Sequence, residues 1–150
     1  MAAVVLKPEA FPQVKASIAL NDLDDTRARD LFSALEEASA HDAKETTSIL
    51  SLSNDDAARR FVLAVAASGE LDQGIESVVS DGIRSVKVRS LERARMRLIA
   101  EIGRASQTGG DSLGMSGSAS AENREPLVEL LKKKMQLDSE LTRLKGEVDE

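Results

Sequence analysis

Leu127-Val128-Glu129-Leu130-Leu131-Lys132-Lys133-Lys134-Met135-Gln136-Leu137-Asp138-Ser139-Glu140-Leu141-Thr142-Arg143-Leu144-Lys145-Gly146-Glu147-Val148 decides the fold of this chain. Its apolar residues fall at Leu127, Leu130, Leu137, Leu141, Leu144 and Val148, in steps of three and four once Lys134 is counted. Lys134 is the one break, holding the position between Leu130 and Leu137. That spacing is a heptad seam on a helix. The seam needs a second helix to cover it, and the sequence offers one upstream.

Residues 71–104 place Ile75, Val79, Ile83, Val86, Ala94, Leu98 and Ile102 near one helical face, with Val78, Leu91 and Ile99 beside it. No Pro interrupts this stretch. Gly74 and Gly82 weaken a helix locally by roughly 1 kcal/mol each relative to Ala. At 1.5 Å per residue such a helix spans about 50 Å. That exceeds a compact bundle of this mass, so part of it is expected to project. Residues 106–121, with Gly109, Gly110, Gly114 and Gly117 among Ser, Thr and Asp, read as a flexible loop without a packing pattern. Asn123 is placed to cap the final helix, and Pro126 falls in its first turn. Two long helices joined by a soft loop make a projecting antiparallel hairpin, a device suited to gripping a partner protein.

The first part of the chain reads as shorter helices. Pro8 suits a first helical turn, and Phe11, Val14, Lys15 and Ile18 follow at helical spacing. Asp24 or Asp25 is placed to cap the next helix, whose apolar face is Ala28, Leu31, Phe32 and Leu35, and which ends near Ser39. Residues 46–52 read as a short helix with Ile49, Leu50 and Leu52 turned inward. Ser53 is expected to cap a further helix, with Asp55 and Asp56 in its first turn and Gly69 as its stop. Ala57, Ala58, Phe61, Val62, Val65 and Ala66 predict a wide buried stripe on that helix. The fold class expected is all-α: a compact helical bundle over residues 1–88, then a helical hairpin over 89–150.

Composition narrows the function classes. The chain has no Cys, Trp or Tyr, and Phe11, Phe32 and Phe61 are its aromatics. Disulfides, thiolate metal sites and Cys nucleophiles are thereby excluded within it, and a reducing compartment fits. The longest apolar run, 61–67, is far short of a membrane span. The first residues carry no basic segment followed by an apolar run, so no secretory signal is expected and a cytoplasmic location is. Net charge is −6, distributed as −5 over residues 1–70, +2 over 71–105 and −3 over 106–150. An acidic whole argues against broad binding to a phosphate backbone. Arg84, Lys87, Arg89, Arg93, Arg95 and Arg97 scatter over several helical faces without interleaved aromatics, so a solvated helix paired to nearby carboxylates is expected rather than a nucleic-acid track. His41 stands alone in a polar turn, and Asp24/Asp25 and Asp55/Asp56 sit where helix caps belong. No catalytic residue, cofactor or metal is expected, because no phosphate loop, Ser/His/Asp set or metal-ligand spacing appears.

The order of elements resembles a known family. Leu23-Asp24-Asp25-Thr26-Arg27-Ala28-Arg29-Asp30-Leu31-Phe32-Ser33-Ala34-Leu35-Glu36-Glu37 follows a Pro-started helix. Asp81-Gly82-Ile83-Arg84 then leads into Arg89-Ser90-Leu91-Glu92-Arg93, and the chain closes on the Leu130 to Lys145 segment with its Leu-x-x-x-Leu-x-x-Leu spacing. Together these resemble the C-terminal, helicase-binding domain of bacterial DNA primase. The resemblance implies that residues 1–88 modulate the hexameric replicative helicase and that the hairpin, 89–150, docks on the helicase N-terminal domain. It also implies that the polymerase and zinc-binding parts of the primase lie elsewhere, the chain being an excised piece of it. Within the hairpin, Leu127, Leu130, Lys134, Leu137, Leu141 and Leu144 are expected to form the seam. Leu131, Lys132, Lys133, Met135, Gln136, Arg143 and Lys145, beside it, are expected to meet the partner. Isolated copies with so long a helix and so soft a loop are expected to be able to exchange hairpins. Two alternatives stand beside this reading: the N-terminal domain of a replicative helicase, which the first half also resembles, and an unrelated coiled-coil adaptor.

Overall fold

The computed structural model describes residues 1–69, 74–108 and 124–146. Among them the regular structure is entirely helical, with no strand. The chain divides into two units, Met1–Lys87 and Val88–Glu150.

The first unit begins with α1, Ala2–Leu6, whose Ala3, Val4 and Val5 are buried. The sequence reading did not anticipate this helix; at five residues it is too short to display a period. Pro8 opens a 3₁₀ turn, Pro8–Ala10, which runs into α2, Phe11–Ser17. Phe11 and Val14 are buried on α2, and the Phe11 ring meets Phe32 edge-on at 5.3 Å between centroids. Such edge contacts add about 1 kcal/mol to the area buried.

Helix α3, Thr26–Ala40, is capped by Asp25, whose side chain accepts the Arg27 N–H at 2.9 Å. Leu31, Phe32, Ala34, Leu35 and Ala38 are its buried face. It ends in a Schellman arrangement: Ala43 N–H donates to Ala38 O at 2.9 Å, and Asp42 turns the chain with φ of 53°. Helix α4, Thr46–Leu52, follows, with Ile49 and Leu50 buried and Leu52 packed against the core. Thr46 Oγ1 donates to Val5 O at 3.3 Å, tying α4 to α1.

Helix α5, Asp56–Ser68, is capped by Asp55 rather than Ser53. Asp55 accepts the N–H groups of Ala57 at 2.8 Å and Ala58 at 3.2 Å. Ser53 is buried instead and donates its hydroxyl to Asp30, which also accepts Asn54 N–H at 3.0 Å. One carboxylate on α3 thus holds the turn between α4 and α5. Gly69 closes α5 in the left-handed region, φ 67°, as expected of a helix stop. The wide buried stripe expected on α5 is not formed. Only Ala58 and Val62 are buried there, while Ala57 and Ala66 are exposed, Phe61 is 55% exposed and Leu63 is 54% exposed. The spacing identified residues that share a face; the unit covers just the part of that face nearest α1 and α3.

Helix α6 spans Ile75–Thr108. Its first turns complete the first unit: Val79 is buried, and Ile75, Ile83 and Val86 pack against the same core. Lys7 Nζ meets Glu76 Oε1 at 2.6 Å. Ser106, Gln107 and Thr108, assigned to the loop by their composition, continue α6 instead. Residues 109–121 of the expected loop and the expected cap Asn123 lie outside the described residues, as do Leu71 and Val148. Helix α7, Arg124–Gly146, carries the heptad segment.

Candidate protein-docking surface

In the second unit the later part of α6 pairs with α7. Leu98 of α6 and Leu141 and Leu144 of α7 are buried, while Leu127, Leu130, Lys134 and Leu137 are half-buried. The seam is therefore tightest toward the end of α7. Two ion pairs set the direction: Glu92 Oε1 accepts Lys145 Nζ at 2.7 Å, and Arg95 Nε lies 2.7 Å from Asp138 Oδ1. Advancing along α6 from Glu92 to Arg95 moves back along α7 from Lys145 to Asp138, the order of an antiparallel pair. The Arg95 contact is one of charge rather than an aligned hydrogen bond.

Lys134, the break in the heptad, resolves into this same cluster. Its Nζ donates to Asp138 Oδ2 at 2.6 Å, one turn further along α7. The stem occupies the seam position while the ammonium leaves it, as long basic side chains do. The hydrogen bond from Lys134, with the charges of Lys134 and Arg95, holds the Asp138 carboxyl below the usual range. The hydrogen bond and charge of Lys145 do the same for Glu92.

The exposed residues of α7 fall into separate groups. Val128, Leu131 and Met135 are 48%, 44% and 72% exposed. At 3.6 residues per turn they lie within about 60° of one another and about a third of a turn from the seam. They form an apolar stripe in water. Val128 was missing from the expected partner-binding residues, although the spacing of three and four that joins it to Leu131 and Met135 was there to be seen. On α6, Met96 is 65% and Ile99 39% exposed.

On the other side of the seam Lys133 and Gln136 border a groove of about 450 Å³ between α6 and α7. Ala94, Leu98 and Leu137 line it, and Arg97, Glu101 and Glu140 complete its rim. Lys132 and Arg143 are exposed on the arc between the two features, and Lys145 is engaged with Glu92. The seven residues expected to meet a partner thus do not share one face. Leu131 and Met135 go together, and so do Lys133 and Gln136.

Among the described residues, no group of His, Asp or Glu side chains is placed to hold a metal ion. No described helix is long and apolar enough to cross a membrane. What the second unit presents to solvent is apolar area, Val128, Leu131 and Met135 on α7 with Met96 and Ile99 on α6, beside charged side chains.

No family model matches the chain, and no solved structure matches it. Over 144 residues the chain is 31% identical to the DNA primase of Treponema pallidum (strain Nichols). That alignment covers 96% of this chain and 22% of the primase, so the chain spans about a fifth of the length of the curated relative it matches, and its similarity is to one stretch of a primase.

Proposed function

We propose that the chain is a non-catalytic interaction domain of a bacterial replicative DNA primase. It binds the N-terminal domain of the hexameric replicative helicase and thereby recruits primase to the replication fork for RNA primer synthesis. The first unit modulates the helicase and the α6/α7 pair docks on it. The observation that carries this reading is the stripe of Val128, Leu131 and Met135, apolar side chains left in water beside the α6/α7 seam. An intramolecular coiled coil has no use for such a stripe, whereas an adaptable Met among aliphatic residues suits a protein surface. The similarity to a stretch of a primase supports the setting.

The test is binding of the full chain to a purified bacterial helicase N-terminal domain, read by sedimentation or interferometry. Replacing Leu131 and Met135 together by Asp is expected to weaken the complex at least about tenfold, close to 1.4 kcal/mol, with the helical circular dichroism unchanged. Truncation after Gln107, which removes α7, is expected to abolish binding. Full affinity in both variants would sink the docking assignment.

A further inference from the structure

The leucines of the second unit do not by themselves fix how far α7 lies along α6. Leu91 and Leu98 on α6 are one heptad apart, and Leu130, Leu137 and Leu144 on α7 repeat at the same interval. A slide of α7 by one heptad, about 10 Å at the helical rise, lays leucine against leucine again. The ion pairs on one edge of the seam do not repeat in that way. Glu92 meets Lys145 at 2.7 Å, and Arg95 meets Asp138 at 2.7 Å. Asp138 and Lys145 are themselves one heptad apart on α7, and their charges are opposite. A slide in one direction therefore brings Asp138 to the place of Lys145, acid against Glu92. A slide in the other direction brings Lys145 to the place of Asp138, base against Arg95. Either slide loses both attractions and sets one like charge against another. Lys134 donates to Asp138 from within α7 and travels with it, so it favours no alignment.

We propose that Glu92, Arg95, Asp138 and Lys145 select the register of the α6/α7 pair. The leucines make the helices adhere, and the order of the four charges admits one of the heptad-related alignments. Exposed ion pairs contribute little on their own. Their effect here lies in the contrast with the slid alignments, where the same side chains repel, as edge charges do when they choose between pairings of a coiled coil. What the device protects is position. A slid α7 would carry Val128, Leu131 and Met135 about 10 Å along α6, so the four charges also fix the height of the apolar stripe. The selection operates whether or not that stripe meets a helicase.

The chain has no Cys, so pairs of introduced thiols report the register of the full chain directly. Ala94, Glu101, Lys133 and Glu140 line the two walls of the groove on the other edge of the seam, away from the four charges. Ala94→Cys with Glu140→Cys reports the observed alignment. Ala94→Cys with Lys133→Cys reports a slide one way, and Glu101→Cys with Glu140→Cys a slide the other way. A disulfide closes only when the two Cα atoms lie within about 7 Å, less than the displacement of one heptad. In the parent background the first pair is expected to form its intrachain disulfide at least about tenfold faster than either of the others. The exchange Asp138→Lys with Lys145→Asp preserves composition and net charge, and is expected to shift cross-linking to a slid pair. Adding Glu92→Arg and Arg95→Glu restores every attraction with reversed sign, and is expected to restore the first pair. Equal cross-linking of the three pairs in the parent chain would overturn the proposal. So would dominance of the first pair in the exchanged chain, or its failure to return in the fourfold exchange. No helicase enters the assay, so its outcome is separable from that of the docking test.

Discussion

Asp42 leaves α3 with φ of 53° and carries a Cβ into the left-handed region. That conformation costs an L-residue about 1–2 kcal/mol, and the Schellman hydrogen bonds around it demand the turn. Asp42→Gly is therefore expected to stabilise the chain by about 1 kcal/mol, seen as a raised midpoint in urea denaturation. Asp55 has the opposite character. It satisfies two N–H groups at the start of α5, and Asp55→Ala is expected to cost about 1 kcal/mol in the same experiment. At this scale the sequence was informative about residue type and less so about assignment. It placed Ser53, Asp55 and Asp56 at a helix start, but could not say that Asp30, 23 positions earlier, would take the Ser53 hydroxyl. Lys134 was legible as an interruption; that Asp138 would draw its ammonium aside depended on the rotamer both side chains adopt.

Between helices, the carboxylates that join α6 and α7 make the pairing sensitive to acid. Glu92 and Asp138 are both held below the usual range in the folded chain by Lys145, Lys134 and Arg95. A depressed carboxyl contributes its stability above its unfolded pKa and loses it as pH falls through its folded one. Asp25, Asp56 and Glu76 in the first unit are depressed in the same direction. The thermal midpoint is thus expected to fall as pH drops from about 5 to about 3. Asp138→Asn should flatten part of that fall; a midpoint independent of pH in the parent chain would contradict the assignment. Helix α5 shows where periodicity stops being informative. It identifies which residues share a face and is silent about what covers that face, so it turns Phe61 inward with Val62 although only Val62 is buried. On α7, by contrast, spacing alone already sets Leu131 and Met135 on one side of the seam and Lys133 and Gln136 on the other.

For the molecule as a whole, the all-α class was legible because composition and spacing agreed along the chain. The short α1 was not, and neither was the extension of α6 through Thr108, since Ser, Gln and Thr read as loop unless a preceding helix carries them forward. The boundary between the two units falls at Lys87 and Val88, inside α6. Arg84, Lys87, Arg89, Arg93, Arg95 and Arg97 surround it, every one a bond that trypsin recognises. A protease needs several residues of extended backbone, however, and a helix yields them only by local unwinding. Brief digestion of the folded chain is expected to leave residues 84–97 uncut, as mass spectrometry of the fragments would show. Early cleavage there would mean that α6 opens at the boundary. The two units are separate as packed bodies, yet the peptide bonds at their boundary belong to one continuous helix, a backbone form that a cutting enzyme cannot take up directly.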